Sequence, residues 1–159
     1  MLLQVNDSDY DIYTTIKETC GNEYTIINRI VKNNFGSSKY KLLDISPIKF
    51  NLDIKNYTDS VYLNFDLRDK GIVFFFRFRN TEYVELCPYY KLSLQSNDDS
   101  FVIQTDQNIY RFEILNRKTH KRFLLKLYEF KSKKIKWKDL GTELILAFIV
   151  WQQLIIIII

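Results

Sequence analysis

Histidine occurs once in this 159-residue chain, cysteine twice, proline twice and glycine four times, and each scarcity closes a route to function. The glycines stand at 21, 36, 71 and 141, so neither a phosphate-cradling P-loop nor a GxGxxG dinucleotide fingerprint can be written anywhere. A single histidine, His120, removes any multi-histidine metal site, and with no CxxC the thiolate zinc patterns are missing too. Cys20 and Cys87 are far apart and read as reduced thiols, with Cys87 a buried residue at the end of a strand before Pro88. A serine or cysteine nucleophile would need His120 or a lysine as its base. His120 sits among Lys118, Lys121 and Arg122 at an expected helix start, where a solvated surface residue is the expectation. The paired acids Asp7 and Asp9, and Asp98 and Asp99, fall at caps or loops without the glycine and distal glutamate of a calcium loop. No catalytic residue, metal ligand or cofactor is assigned. Met1 to Asp11 has no basic stretch leading into an apolar one, so secretion is not expected and the cytoplasm is.

What the chain has in quantity is apolar surface: 47% of its residues are hydrophobic and 16% aromatic, a composition for a packed, strand-rich domain. The length suits one such domain. A helix is expected from Asp9 to Cys20, capped by Ser8 or Asp9, with Ile12, Ile16 and Cys20 on one face and Gly21 as its stop. Tyr24 to Val31 reads as a strand from its β-branched content, 32 to 38 as a loop, and Tyr40 to Ile45 as a strand ending before Pro47. From Phe50 to Ile114 alternation at period two, broken by turns, predicts an antiparallel meander. Val61, Leu63, Phe65 and Leu67 form one strand of it. Ile72, Phe74, Phe76 and Phe78 form the buried face of the next, with Arg77 and Arg79 opposite. Tyr83 to Cys87, Leu92 with Leu94, Phe101 with Ile103, and Tyr110 with Phe112 and Ile114 continue it. Phe123, Leu127 and Phe130 then give a helix from about Lys118 to Phe130 its apolar stripe.

Charge is unevenly spread. Between Asn116 and Lys138 ten lysines and arginines face one acid, Glu129, so this segment carries nine net positive charges and the rest of the chain five net negative. After it, Leu, Ile, Phe and Val fill twelve of the sixteen positions from Leu144 to Ile159. At roughly −0.3 to −0.6 kcal/mol each they favour membrane insertion by about 4 to 7 kcal/mol before Gln152 and Gln153 are counted. As a helix the segment would reach roughly 24 Å, short of the roughly 30 Å hydrocarbon core. The candidate contacts to anionic lipid or phosphate are Lys118, Lys121, Arg122, Lys126, Lys133, Lys134, Lys136 and Lys138. The candidate membrane tail is carried by Leu144, Ile145, Leu146, Phe148, Ile149, Val150 and Trp151.

Lys70 to Arg77 begins like the RNA-recognition octamer, but Ile72, Val73 and Arg77 stand where an aromatic, a small residue and an aromatic are required. Nucleic acid therefore ranks below a protein partner or an anionic membrane surface, and its mark would be exposed aromatics on the Arg77 and Arg79 face. An enzyme without a known motif would show a deep cleft with convergent polar side chains.

The stretch from Gly71 to Ile114, followed by the helix around 121 to 130, resembles the small PH-like domains of uncharacterised bacterial proteins, over about residues 50–131. The resemblance implies a bent sheet or open barrel capped by its C-terminal helix, and a noncatalytic module for a partner or lipid head group. The turn where Asp66 and Asp69 accompany Arg68 and Lys70 does not supply a clear head-group pocket. The expectation is thus an α+β protein, mostly β: a single domain over 1–138 with an N-terminal helix, then an apolar tail over 139–159. It would act as a binding or scaffold module, held at the inner membrane face by its basic segment and tail.

Overall fold

The computed structural model describes residues 1–5, 11–31 and 36–134, with nothing described of the side chains of Lys133 and Lys134. It is an α+β fold made mostly of strands, in two antiparallel sheets that do not close into a barrel. The elements in order are β1 (Leu2–Gln4), α1 (Ile12–Cys20), α2 (Ile26–Val31), β2 (Tyr40–Ser46), β3 (Val61–Leu63), β4 (Phe65–Leu67), β5 (Gly71–Phe78) and β6 (Thr81–Pro88). A 3-10 turn (Tyr89–Lys91), β7 (Ser93–Ser96), β8 (Ser100–Gln104), β9 (Ile109–Ile114) and α3 (Arg117–Lys134) follow. One sheet runs β1-β6-β5-β4 and the other β3-β2-β9-β8-β7. Among the described residues no helix is long and apolar enough to cross a membrane.

The two sheets bury one core between them, because each alternating strand turns its large residues inward. Phe74, Phe76 and Phe78 of β5 meet Tyr40, Phe101, Tyr110 and Phe112 of the opposite sheet, and Phe123, Leu127 and Phe130 of α3 join them. Phe65 is the hub. Its ring lies 5.1–5.4 Å, centroid to centroid, from those of Phe74, Tyr40, Phe112 and Phe123, edge-on to the first three and stacked on the last. A second, smaller cluster fills the outer face of the first sheet. There Ile12, Ile16 and Cys20 of α1 lie on Leu3, Val73, Val84 and Leu86, so β5 and β6 are covered on both faces.

Several sequence expectations need correction. The alternation from Val61 to Leu67 is real, but the chain breaks at Asn64. Val61–Leu63 pairs with β2 and Phe65–Leu67 with β5, so the segment passes from one sheet to the other and forms a corner of the sandwich. Tyr24 to Val31 is not a strand: Ile26–Val31 is helical, because Thr25 sits where an N-cap belongs. Its Oγ1 accepts from Asn28 N at 3.4 Å and its carbonyl from Arg29 N at 2.8 Å. α1 begins at Ile12 with Asp11 as its cap, accepting from Thr14 N at 3.3 Å and Thr14 Oγ1 at 2.7 Å; Ser8 and Asp9 lie outside the described residues. Gly21 ends α1 as expected, at φ +84°, donating its N–H to Lys17 O. In β2 the register shifts between Leu42 and Asp44, and this bulge is what lets Tyr40, Leu42 and Ile45 all face the core despite their uneven spacing.

A candidate anion-facing surface on the C-terminal helix

α3 starts where Asn116 caps it, its Oδ1 accepting from Thr119 N at 3.1 Å and its carbonyl from Thr119 Oγ1. Its apolar stripe seats Phe123, Leu127 and Phe130 on the core, which fixes the direction of everything else on the helix. Lys118, Lys121 and Arg122 are exposed on the opposite side, beside Leu125, and form no ion pair or hydrogen bond among the described residues. They stand at the end where the helix dipole is positive and the first turn has no acid. Arg117 is spoken for by Asp99 (2.5 Å) and Asp98 (3.9 Å). Lys126 differs from the triad too: half-exposed, it pairs with Glu129 at 3.3 Å and lies over the Phe130 ring. Lys131 is held down by donating to Leu92 O at 2.6 Å, and burial lowers its pKa. Of the candidate phosphate contacts, the structure thus brings three together on one open face. The side chains of Lys133 and Lys134, with Lys136, Lys138 and the tail from Leu144 to Trp151, lie outside the described residues.

His120 overturns its expected surface position. It is 5% exposed, with Tyr40 OH 2.7 Å from Nδ1 and Ser96 Oγ 2.8 Å from Nε2, so one imidazole bridges β2, β7 and α3. A serine against a histidine invites comparison with a nucleophile and its base, but the third partner is a phenol, and burial raises the Tyr40 pKa, keeping it neutral. Burial also pushes His120 down to about 4, which leaves it a weak proton acceptor at neutral pH. The thiols are similarly committed. Burial raises Cys20 to about 11 and Cys87 to about 12, and the two lie in different packing clusters, Cys20 beneath α1 and Cys87 in the main core.

Sequence reasoning missed Glu85. Its side chain is fully buried between the sheets and accepts from Tyr110 OH at 2.6 Å, Asn108 Nδ2 at 3.1 Å and the Met1 nitrogen at 2.8 Å. The signal was its parity: on an alternating strand it shares a face with Tyr83 and Cys87, both core residues. Around the turn after β4, Arg68 binds Asp66 at 2.9 Å and reaches Glu23 at 3.6 Å, while Arg29 reaches the same two acids. These cations are already matched. An open groove of about 490 Å³ lined by Glu18, Thr19, Lys70, Pro88, Tyr89 and Tyr90 carries one side chain of each charge. On the outward face of β5, Phe75 is 36% exposed and Arg77 stands opposite Glu82 in register. Compared with protein-family models, curated proteins and solved structures, the chain finds no match.

Proposed function

We propose that this chain is a noncatalytic binding module that docks on an anionic membrane surface through Lys118, Lys121 and Arg122, with the basic residues up to Lys138 and the apolar tail strengthening the attachment. The observation that carries the reading is the placement of three exposed cations without partners at the positive end of a helix dipole. Within the molecule that arrangement is unfavourable, and an external anion relieves it. The burial and hydrogen bonding of His120, Cys20 and Cys87 support the noncatalytic part, since the residues best suited to nucleophilic or acid–base work are tied into packing. The two-sheet body with a helix packed on its end is compatible with a PH-like module of cytoplasmic, bacterial type.

Vesicle co-sedimentation tests this. The full chain should bind vesicles containing anionic lipid, in a salt-sensitive way, and bind neutral vesicles much less. At about 1 kcal/mol per basic residue at the surface, Lys118→Glu, Lys121→Glu and Arg122→Glu together should weaken binding roughly a hundredfold. Undiminished binding by that variant refutes the assigned face. Equal binding to neutral and anionic vesicles refutes the electrostatic reading.

A further inference from the structure

α2 is amphipathic in the inverted sense. Over one and a half turns Ile26, Ile27, Ile30 and Val31 fall on a single face, and that face points away from the protein, with exposures of 78%, 73%, 60% and 77%. The inward side is polar. Arg29, from the opposite face, holds the helix down by donating to Tyr24 O at 3.1 Å and pairing with Glu23 at 2.9 Å and Asp66 at 3.7 Å. Four large aliphatic side chains held outward by a salt-bridged anchor form the kind of patch that marks an interaction surface.

The fold also places one apolar segment beside it. Tyr24, two residues before α2, packs its ring edge-on against Phe130 at 5.6 Å, so α2 begins next to the last turns of α3. α3 runs on to Lys134, and 25 residues of chain follow. Residues 135–143 give nine links, a root-mean-square reach of roughly 15–18 Å if flexible, which spans the distance from a helix end to a neighbouring helix. Leu144 to Ile159, with its twelve Leu, Ile, Phe and Val, then arrives at high effective concentration next to the exposed face.

We propose that the outward apolar face of α2 is the docking site for the chain's own C-terminal segment, residues 144–159. The contact is intramolecular and needs no lipid, so it goes beyond the membrane reading and stands or falls separately from it. It gives the tail two alternative apolar partners, α2 in water and the bilayer at a membrane, and attachment then uncovers α2.

The sequence supplies its own reporter, because the two tryptophans are Trp137 and Trp151. In the full chain carrying Trp137→Phe, without lipid, Trp151 should emit in the blue and resist acrylamide. Replacing Ile26, Ile27, Ile30 and Val31 by serine should shift its emission to the red and raise quenching several-fold. A second variant guards against misfolding of the first. Ile27→Cys, at a fully open position, can be labelled with a nitroxide while Cys20 and Cys87 stay buried and unlabelled. The label should quench Trp151 at least twofold, independent of protein concentration. Solvent-exposed Trp151 in the parent, shielding unchanged by the serine substitutions in a folded variant, or no quenching by the label overturns the proposal. Quenching that fades on dilution overturns it in favour of a second copy of the chain.

Discussion

Acid should unfold this protein in a window set by one residue. His120 is buried with both ring nitrogens hydrogen-bonded, and burial lowers its pKa from an ordinary 6.5 to about 4. Between these values the unfolded chain takes up a proton that the folded protein refuses, so lowering the pH draws the equilibrium toward the unfolded state. Stability is therefore full above about pH 6.5, falls as pH drops through the window, and levels off for this group below about pH 4. A gap of about 2.5 between the two values, at about 1.4 kcal/mol per pH unit, makes the loss roughly 3 kcal/mol, a large part of the stability of a domain this size. The direct assay uses the fact that there is one histidine: its ring Cε1 proton needs no assignment, and its NMR titration in the folded protein should have a midpoint near 4. The energetic assay compares urea unfolding, followed by far-UV circular dichroism, from pH 7.5 to 4 in the wild type and in His120→Gln. Asp66 and the other carboxylates titrate in both, so their contributions cancel in the comparison. A glutamine side chain at this position cannot bridge Tyr40 and Ser96 equally well, and the variant should be weaker by about 1–3 kcal/mol at pH 7, with a shallower decline toward acid. A histidine midpoint near 6.5, or parallel stability curves for the two proteins, refutes the reasoning.

Two other substitutions test the packing. At Gly71 a Cβ would run into the carbonyl oxygen of Cys87 and approach Pro88 Cα at 2.9 Å and Cys20 Sγ at 3.0 Å. The first two are backbone atoms and cannot swing aside, so Gly71→Ala should destabilise by about 1–3 kcal/mol in thermal or urea unfolding; a neutral effect means the β5–β6 ladder yields more easily than its register implies. Tyr110→Phe removes the 2.6 Å hydrogen bond to buried Glu85 while keeping the ring stacked on Phe112, and should cost about 1.5–3 kcal/mol. Measuring Tyr110→Phe in a Glu85→Gln background separates the charged hydrogen bond from the loss of a hydroxyl, and equal costs in the two backgrounds refute the charge-assisted role.

Strands with strong alternation are legible because that signal is local: Tyr40 to Ile45 and the run from Ile72 to Ile114 appear where the pattern puts them. What alternation does not carry is partnership. Nothing in Val61 to Leu67 reveals that Asn64 divides the stretch between two sheets, and β1 is three residues whose only ladder is with β6, about eighty positions away. The basic face of α3 is legible in outline. Its division into the free Lys118, Lys121 and Arg122 and the committed Lys126 and Lys131 depends on neighbours that only the fold supplies.

The misreadings of His120 and of Tyr24 to Val31 share a cause. Residue type and adjacent charge misplace both segments, because helical spacing is the stronger constraint. His120 lies among cations in the chain, but it is three positions before Phe123, so the stripe 123, 127, 130 extended one step back runs through it and under the domain. The same geometry at α2 gives the opposite result. Ile26, Ile27, Ile30 and Val31 share a face as any buried stripe would, but Arg29 on the other side finds Glu23 and Asp66 on the body. Ion pairing and two carboxylates fixed by neighbouring elements decide which face turns inward, and the isoleucines are left outside. Hydrophobic periodicity thus identifies a face, and the surroundings determine whether that face is spent on the core or remains available. In this protein the available face lies beside the end of α3, where the most apolar part of the chain begins its course.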